Sequence, residues 1–267
     1  MQRVRTYVAL MATEFRRYST YRLAVLAGLF TNSVFGFIRV SVLAAAISAN
    51  GAEVAGYTAK QASTYVWLGQ AYIAPLAIMG GLEIADRVKS GEIAVDLARP
   101  VDLQASWWAR DLGRAGFGLV SRGILPLLIG AATVGLALPP VWTAYPLGLV
   151  SLLLAVSISF TLRFIINLLA FWVVDVRGFL SLYFIVISLL SGFLIPVHFF
   201  PPALQAVAYA SPAPSILQLP VDVMSGRVVG AAAVATLGVQ LGWLVALVLL
   251  ARVVQWAAAR RLVVQGG

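Results

Sequence analysis

Six apolar stretches dominate this chain, at about 23–47, 63–82, 117–138, 146–172, 179–199 and 231–251. Each is near the roughly 20 residues a helix needs to cross a bilayer core. None shows the strict alternation of a barrel strand, so the backbone polar groups have to be satisfied inside helices. Of the 267 residues 61% are apolar and only 11% are charged, where a soluble domain carries about 25% charged residues. The expected fold class is an all-α membrane protein, a single domain over 1–267 with six transmembrane helices. The first stretch ends near "AAAISANGA", which resembles a cleavage site. Its apolar run is longer than the roughly 7–15 residues of a signal core, so a retained span is expected.

The net charge of +9 invites a nucleic-acid reading, but its distribution along the chain explains it otherwise. Segments 1–22, 83–116, 173–178 and 252–267 hold 14 Lys and Arg, while 48–62, 139–145 and 200–230 hold two, Lys60 and Arg227. By the positive-inside rule this puts both termini in the cytoplasm, and no nucleic-acid partner is required. In segment 1–22, Val4, Tyr7, Val8, Met11, Phe15 and Tyr18 recur at helical spacing, while Arg3, Arg5, Glu14, Arg16 and Arg17 lie mostly elsewhere around the helix. The pattern predicts an amphipathic interfacial helix with arginines near anionic headgroups, or a solvated lead-in that only anchors.

The loop 83–116 contains "RVKSGEIAVDLARPVDL", which has the marks of a very short helix. Ser90 suits an N-cap, Glu92 the positive end of the helix dipole, and Pro100 disfavours helix at Arg99. Ile93 and Leu97 are four residues apart and share a face, rimmed by Arg87, Lys89, Glu92, Asp96 and Arg99. Such a helix is either a docking plug for a partner's groove or a surface helix folded back on its own bundle. The following "LQASWWARDLGRAG" suits a helix returning along the interface.

Several chemistries are excluded. There is no cysteine and one histidine, His198, which rules out disulfides, thiolate sites and a His-based metal cluster. The phosphate-binding pattern G-x-x-x-x-G-K-[ST] is absent: neither lysine, Lys60 or Lys89, follows a glycine. No G-x-S-x-G precedes a candidate serine. No catalytic residue and no cofactor or metal ligand is expected, and if ATP drives this chain another chain must hydrolyse it. His198 is read as an interfacial hydrogen-bond partner or a substrate contact. A proton-coupled path lacks its buried acid.

Two polar stripes interrupt the apolar stretches. Ser159, Arg163 and Asn167 are four residues apart in turn, and Asn32 precedes Arg39 by seven, so each set shares a helix face. An arginine at mid-membrane costs about 2.5–3.5 kcal/mol on the insertion scale, and no acid lies within the six stretches. The stripes form either an electropositive translocation path for an anionic group or a set of helix–helix hydrogen bonds with snorkelling. Arg122, near a span end, is read as a snorkeller. Gly238 and Gly242 form a weak G-x-x-x-G pair.

Segment 200–230 follows "SGFLIPVHFFPP" and carries only Asp222 and Arg227 as charges. Short apolar helices broken by proline, re-entrant and shielded by protein, fit better than a hydrated linker. Phe193, Phe199, Phe200 and Tyr209 suit a hydrophobic gate or an interfacial belt.

Taken together, these features resemble the membrane subunit of an ABC-2-type exporter. The likeness spans nearly the whole chain: the amphipathic start, six spans, the charged loop, and "SGFLIPVHFFP" leading into proline-broken outer helices. "VKSGEIAVDLARPVD" is similar to a loop motif of one bacterial branch. The resemblance implies a coupling helix over 90–100, with Ser90, Glu92, Ile93, Asp96, Leu97 and Arg99 meeting a separate ATPase. It further implies two ATPase copies holding ATP and Mg²⁺, a second permease subunit that is the same or a related chain, and a bacterial inner membrane. The rivals are an ATP-independent transporter or channel, and a membrane scaffold or immunity protein.

Overall fold

The computed structural model describes residues 2–261 apart from 52 and 174. The far end of the predicted basic tail, 262–267, lies outside the described residues. The fold is predominantly helical. Helix α1 (Gln2–Ser19) leads into α2 (Arg22–Ala49), and a two-stranded antiparallel hairpin, β1 (Glu53–Val54) and β2 (Tyr57–Thr58), turns the chain into α3 (Ala59–Leu76). Then come α4 (Glu83–Lys89), α5 (Ile93–Ala98), α6 (Leu103–Gly118), a π-helical turn (Leu119–Ile124), α7 (Leu125–Thr133), α8 (Ala144–Leu168) and α9 (Arg177–Leu190). Two short helices, α10 (Pro202–Tyr209) and α11 (Gln218–Met224), precede the long α12 (Gly230–Ala259).

Among the described residues four helical segments are long and apolar enough to cross a membrane: Val25–Ala49, Leu103–Thr133, Ala144–Phe171 and Gly230–Ala259. The other two predicted stretches look different. Around 63–82 the helix is α3, which carries Ser63, Thr64 and Gln70 yet buries them among its neighbours. A helix enclosed by protein can hold polar groups that lipid would not accept. Around 179–199 only Arg177–Leu190 is α-helical, and after Ser191 the chain breaks into short turns.

Close helix packing depends on small residues around α3. Thr58 and Gln61 form a reciprocal capping box that starts α3, and Pro75 sits in its last turn. Trp67 is fully buried between α2 and α7. A Cβ on Gly36 would lie 2.8 Å from its ring, and one on Gly130 would overlap it outright. Gly118 and Gly123 likewise bring the π-turn against Ala74 and Ala71. Pro126 has no N–H to offer the Arg122 carbonyl one turn before it, and that carbonyl lies 3.5 Å from the Asn32 amide nitrogen on α2.

Of the segment after α9, α10 stays largely exposed while the part that follows it is buried. Residues 213–218 and 220–223 are all buried, and α11 packs mainly on α8. Gln240 of α12 joins the layers: it accepts from Ser151 Oγ at 2.7 Å and donates to Ser215 O at 2.9 Å. A Cβ on either glycine of the predicted Gly238–Gly242 pair would meet no atom of the described residues within 4 Å.

The contacts also sort the chain into two ends. Ser159 bonds Leu76 O at 2.7 Å, and Ala251 packs with Phe164 and Leu168, so α3, α8 and α12 finish at the same end. That end gathers α1, the 83–102 loop and the 173–177 connection, where Lys89 lies 3.8 Å from Asp175. The hairpin, the 134–143 connection and the proline-rich segment meet at the other: Arg227 donates to Ala55 O and Gly56 O, each at 2.8 Å. The basic segments of the sequence are therefore neighbours in space.

Candidate functional site: the 83–102 loop and the polar anchor behind it

Helices α4 and α5 form a bent pair around Gly91, whose φ of +77° suits glycine. Ser90 does not open the short helix as its residue type suggested. It closes α4, its N–H donating to Asp86 O at 2.9 Å and its hydroxyl to Arg87 O at 3.3 Å. Helix α5 starts at Ile93 with no side-chain cap. Its end does follow expectation, with Arg99 extended (ψ 144°) ahead of Pro100.

The apolar face of α5 points inward. Ile93 is fully buried with Ile84, Leu103, Phe160, Phe164, Leu168 and Ala251, and Leu97 packs at the edge of that cluster. Ile93 and Leu97 do share a face, but they are not an exposed plug. A helix this short buries its apolar side on the nearest apolar surface, which belongs to α8. Val95 is the residue left outside, 57% exposed, beside exposed Glu92, Ala98 and Arg99. Asp96 is buried and takes Arg87 on one side and Arg99, at 3.3 Å, on the other. Arg87 also reaches Glu92 at 2.8 Å, so the loop's charges brace each other.

The α8 stripe lies directly behind this loop. Asn167 accepts from Ala85 N–H at 3.0 Å and donates to Gly81 O at 3.2 Å, which pins the start of α4 to α8. Ser159 caps Leu76 O and meets the Tyr183 hydroxyl at 3.2 Å. Arg163 is paired after all: its Nη2 lies 3.1–3.2 Å from both Asp111 oxygens. Asp111 also accepts from Arg114 Nε at 2.9 Å, while Arg114 caps Ala74 O and Pro75 O at 2.8 and 2.9 Å. The last carbonyls of α3, orphaned as at every helix end, are satisfied by these side chains.

Sequence reasoning missed Asp111 because 83–116 was read as a loop and its second half as a helix along the interface. In the structure α6 continues through the π-turn into α7, so Asp111 belongs to a long helix facing α8. The residues did not decide it: no proline separates Leu103 from Leu125, but Gly113, Gly116, Gly118 and Gly123 suit a break between two helices as well as one continuous helix. The N-cap, Asp102, accepts from Ala105 N–H at 2.7 Å and also grips Arg252 of α12. Burial alone would raise the Asp102 carboxyl, but the hydrogen-bonded Arg252 guanidinium and the Ala105 amide hold it below its ordinary value.

The other stripe goes elsewhere. Asn32 reaches the π-turn, and Arg39 donates to Leu194 O at 2.9 Å with its guanidinium 5.1 Å from the Phe193 ring centre. Asn32 and Arg39 therefore do not join Ser159, Arg163 and Asn167 along one route. Arg122 lies across Gly28 of α2. On α1, Tyr7, Leu10, Met11, Glu14 and Tyr18 turn toward the protein, and Gly113 lets α6 approach Met11 closely. Val4, Val8 and Phe15 stay exposed, so the predicted apolar stripe is split between protein and surroundings.

At the opposite end a second polar cluster closes the bundle. Gln218 accepts from Tyr65 OH at 2.9 Å and Val197 N–H at 2.7 Å, and donates to Asp222 at 2.9–3.0 Å. His198 Nε2 lies 3.0 Å from Asp222, which makes it a local hydrogen-bond partner. Burial, and then Asp222, push the Tyr57 hydroxyl well above its ordinary value, so it stays a neutral partner of Gln218 and Asp222.

No curated protein matches the chain in sequence. A family described as "ABC-2 family transporter protein" matches residues 15–266, which covers α2 through α12, the 83–102 loop and the proline-rich segment together. With that match over nearly its whole length, the chain belongs to the ABC-2 transporter family and is a multi-pass membrane protein of that family.

Proposed function

We propose that this chain is the permease subunit of an ATP-driven exporter, forming half of a translocation pathway and docking a separate ATPase through α4–α5. In this reading α3 and α9 complete a six-span bundle with both termini in the cytoplasm. The basic end faces the cytosol of a bacterial cell, and a second permease chain, the same or related, supplies the other half. ATP and Mg²⁺ belong to two ATPase copies; the path residues on α8 serve as the mechanical base of the loop.

The observation that carries the reading is the two-sided build of α5. Its inner face is locked into the bundle through Ile93, which touches the α8 cluster, while its outer face offers Val95 ringed by Glu92 and Arg99. A push on the outer face therefore reaches α8 through packed side chains, and Asn167 carries α4 along with it. Docking that uses Val95, Glu92 and Arg99 leaves Ile93 and Leu97 as transmitters.

Val95→Asp tests this. The variant should fold normally, because Val95 is exposed, and should lose co-purification with a cassette ATPase encoded beside this chain. Retained co-purification, or flux through the purified chain without nucleotide, would overturn the reading.

A further inference from the structure

A cavity of about 180 Å³ lies at the basic end between α1, α6, α8 and the 80–84 turn. Three carboxylates line it, and each is already paired. Arg17 stands 3.3 Å from Glu14 and 4.0 Å from Glu83, while Arg114 and Arg163 hold Asp111. Arg110 is the cation left over. Its guanidinium lies 5.0 Å from the Trp107 ring centre and has no carboxylate partner among the described residues. Arg163, only 8% exposed, also lines the cavity, and its Nε, sealed from the surface, has no hydrogen-bond partner among the described residues.

A second cavity of about 230 Å³ shares Tyr18, Ala77, Gly80 and Arg114 with the first. Its wall is mostly apolar, built from Ile73, Ile78, Met79, Phe117 and Phe184, with Arg122 as a further cation. One compartment therefore offers a cation without a carboxylate partner, and its neighbour offers mainly hydrocarbon.

We propose that the two adjoining cavities bind one phospholipid of net negative charge. Its phosphodiester sits against Arg110, and one acyl chain fills the adjoining groove. Arg110 and, on the wall of the second cavity, Arg122 have no carboxylate partner among the described residues, and this cationic excess selects an anionic headgroup over a zwitterionic one. The apolar compartment selects a lipid over a free phosphate. This rests on the membrane embedding proposed above, but not on ATP or on docking.

The test is native mass spectrometry of the full chain with dioleoyl phosphatidylglycerol against dioleoyl phosphatidylcholine. Phosphatidylglycerol should be retained about tenfold better, equivalent to about 1.4 kcal/mol. Arg110→Gln should reduce it to the phosphatidylcholine level with unchanged thermal stability. On the wild-type chain, soluble glycerol phosphate should fail to displace the lipid. Equal retention of the two lipids overturns the proposal, as does full retention by Arg110→Gln. Displacement by glycerol phosphate would show a free-phosphate site and overturn the lipid assignment. No arm uses an ATPase, so failure here leaves the Val95 reading standing, and failure there leaves this one.

Discussion

Both ends of the bundle are closed by buried polar groups, but the two closures are built from different chemistry. At the proline-rich end Gln218 uses its carbonyl and its amide fully, and Tyr57, Tyr65 and Asp222 complete a compact network. At the basic end the network is ionic, Arg163–Asp111–Arg114, with one guanidinium nitrogen unused and a cavity beside it. A fully satisfied network of mainly neutral groups specifies one geometry, because any rearrangement strands a buried group. Arginines beside a cavity have donors to spare and can exchange partners at lower cost. The difference assigns the fixed role to the proline-rich end and the yielding role to the end that carries α4 and α5.

Substituting the central acid at each end should separate them most. Asp111→Asn leaves two buried arginines without a counter-charge, and breaking a buried pair in this way costs about 3–5 kcal/mol. Asp222→Asn disturbs hydrogen bonds with His198 as the nearest ionisable partner, and should cost about 1–3 kcal/mol. Thermal unfolding of the two purified variants compares them, and a larger loss at Asp222 would break the contrast.

A smaller and more local effect is expected at Asn167. Asn167→Ala removes the bonds to Ala85 N–H and Gly81 O, for about 1–3 kcal/mol. Amide exchange should quicken across 83–98 and stay unchanged across 213–224. Acceleration at both ends would mean that the anchor supports the whole bundle and not the loop alone.

The smallest effect concerns Asp102 and Arg252. The carboxyl is held below its ordinary value in the folded chain, so its contribution is present above the unfolded pKa of about 3.9 and fades as pH falls through the folded value. The pair is partly exposed, so screening limits it to less than about 1 kcal/mol. The difference in melting temperature between wild type and Arg252→Gln should shrink as pH drops below about 4.

Much of this was legible in the residues. The apolar stretches located the long helices, the clustering of Lys and Arg at one end followed the charge count, and the prolines of 200–230 marked a chain of short helices. Three features were not legible, each for a physical reason. The side on which Ile93 sits depends on where Phe160 and Phe164 of α8 happen to lie, and helical spacing carries no such information. Asp111 is a buried partner because α6 continues as one helix, and a polar helix beside a loop looks the same in sequence. Ser90 caps nothing ahead of it because Gly91 turns the chain first, ending one helix where the residue type suggested another began.

The central claim is that contact from the cytosol enters this chain through the outer face of α5. The chain has no cysteine, so a single introduced thiol reports one place. Maleimide labelling of Val95→Cys and of Glu53→Cys, at the opposite end, should be compared with and without the cassette ATPase of the proposed assembly. The ATPase should protect position 95 strongly and leave position 53 reactive. Equal labelling at position 95 with and without the ATPase would contradict the account.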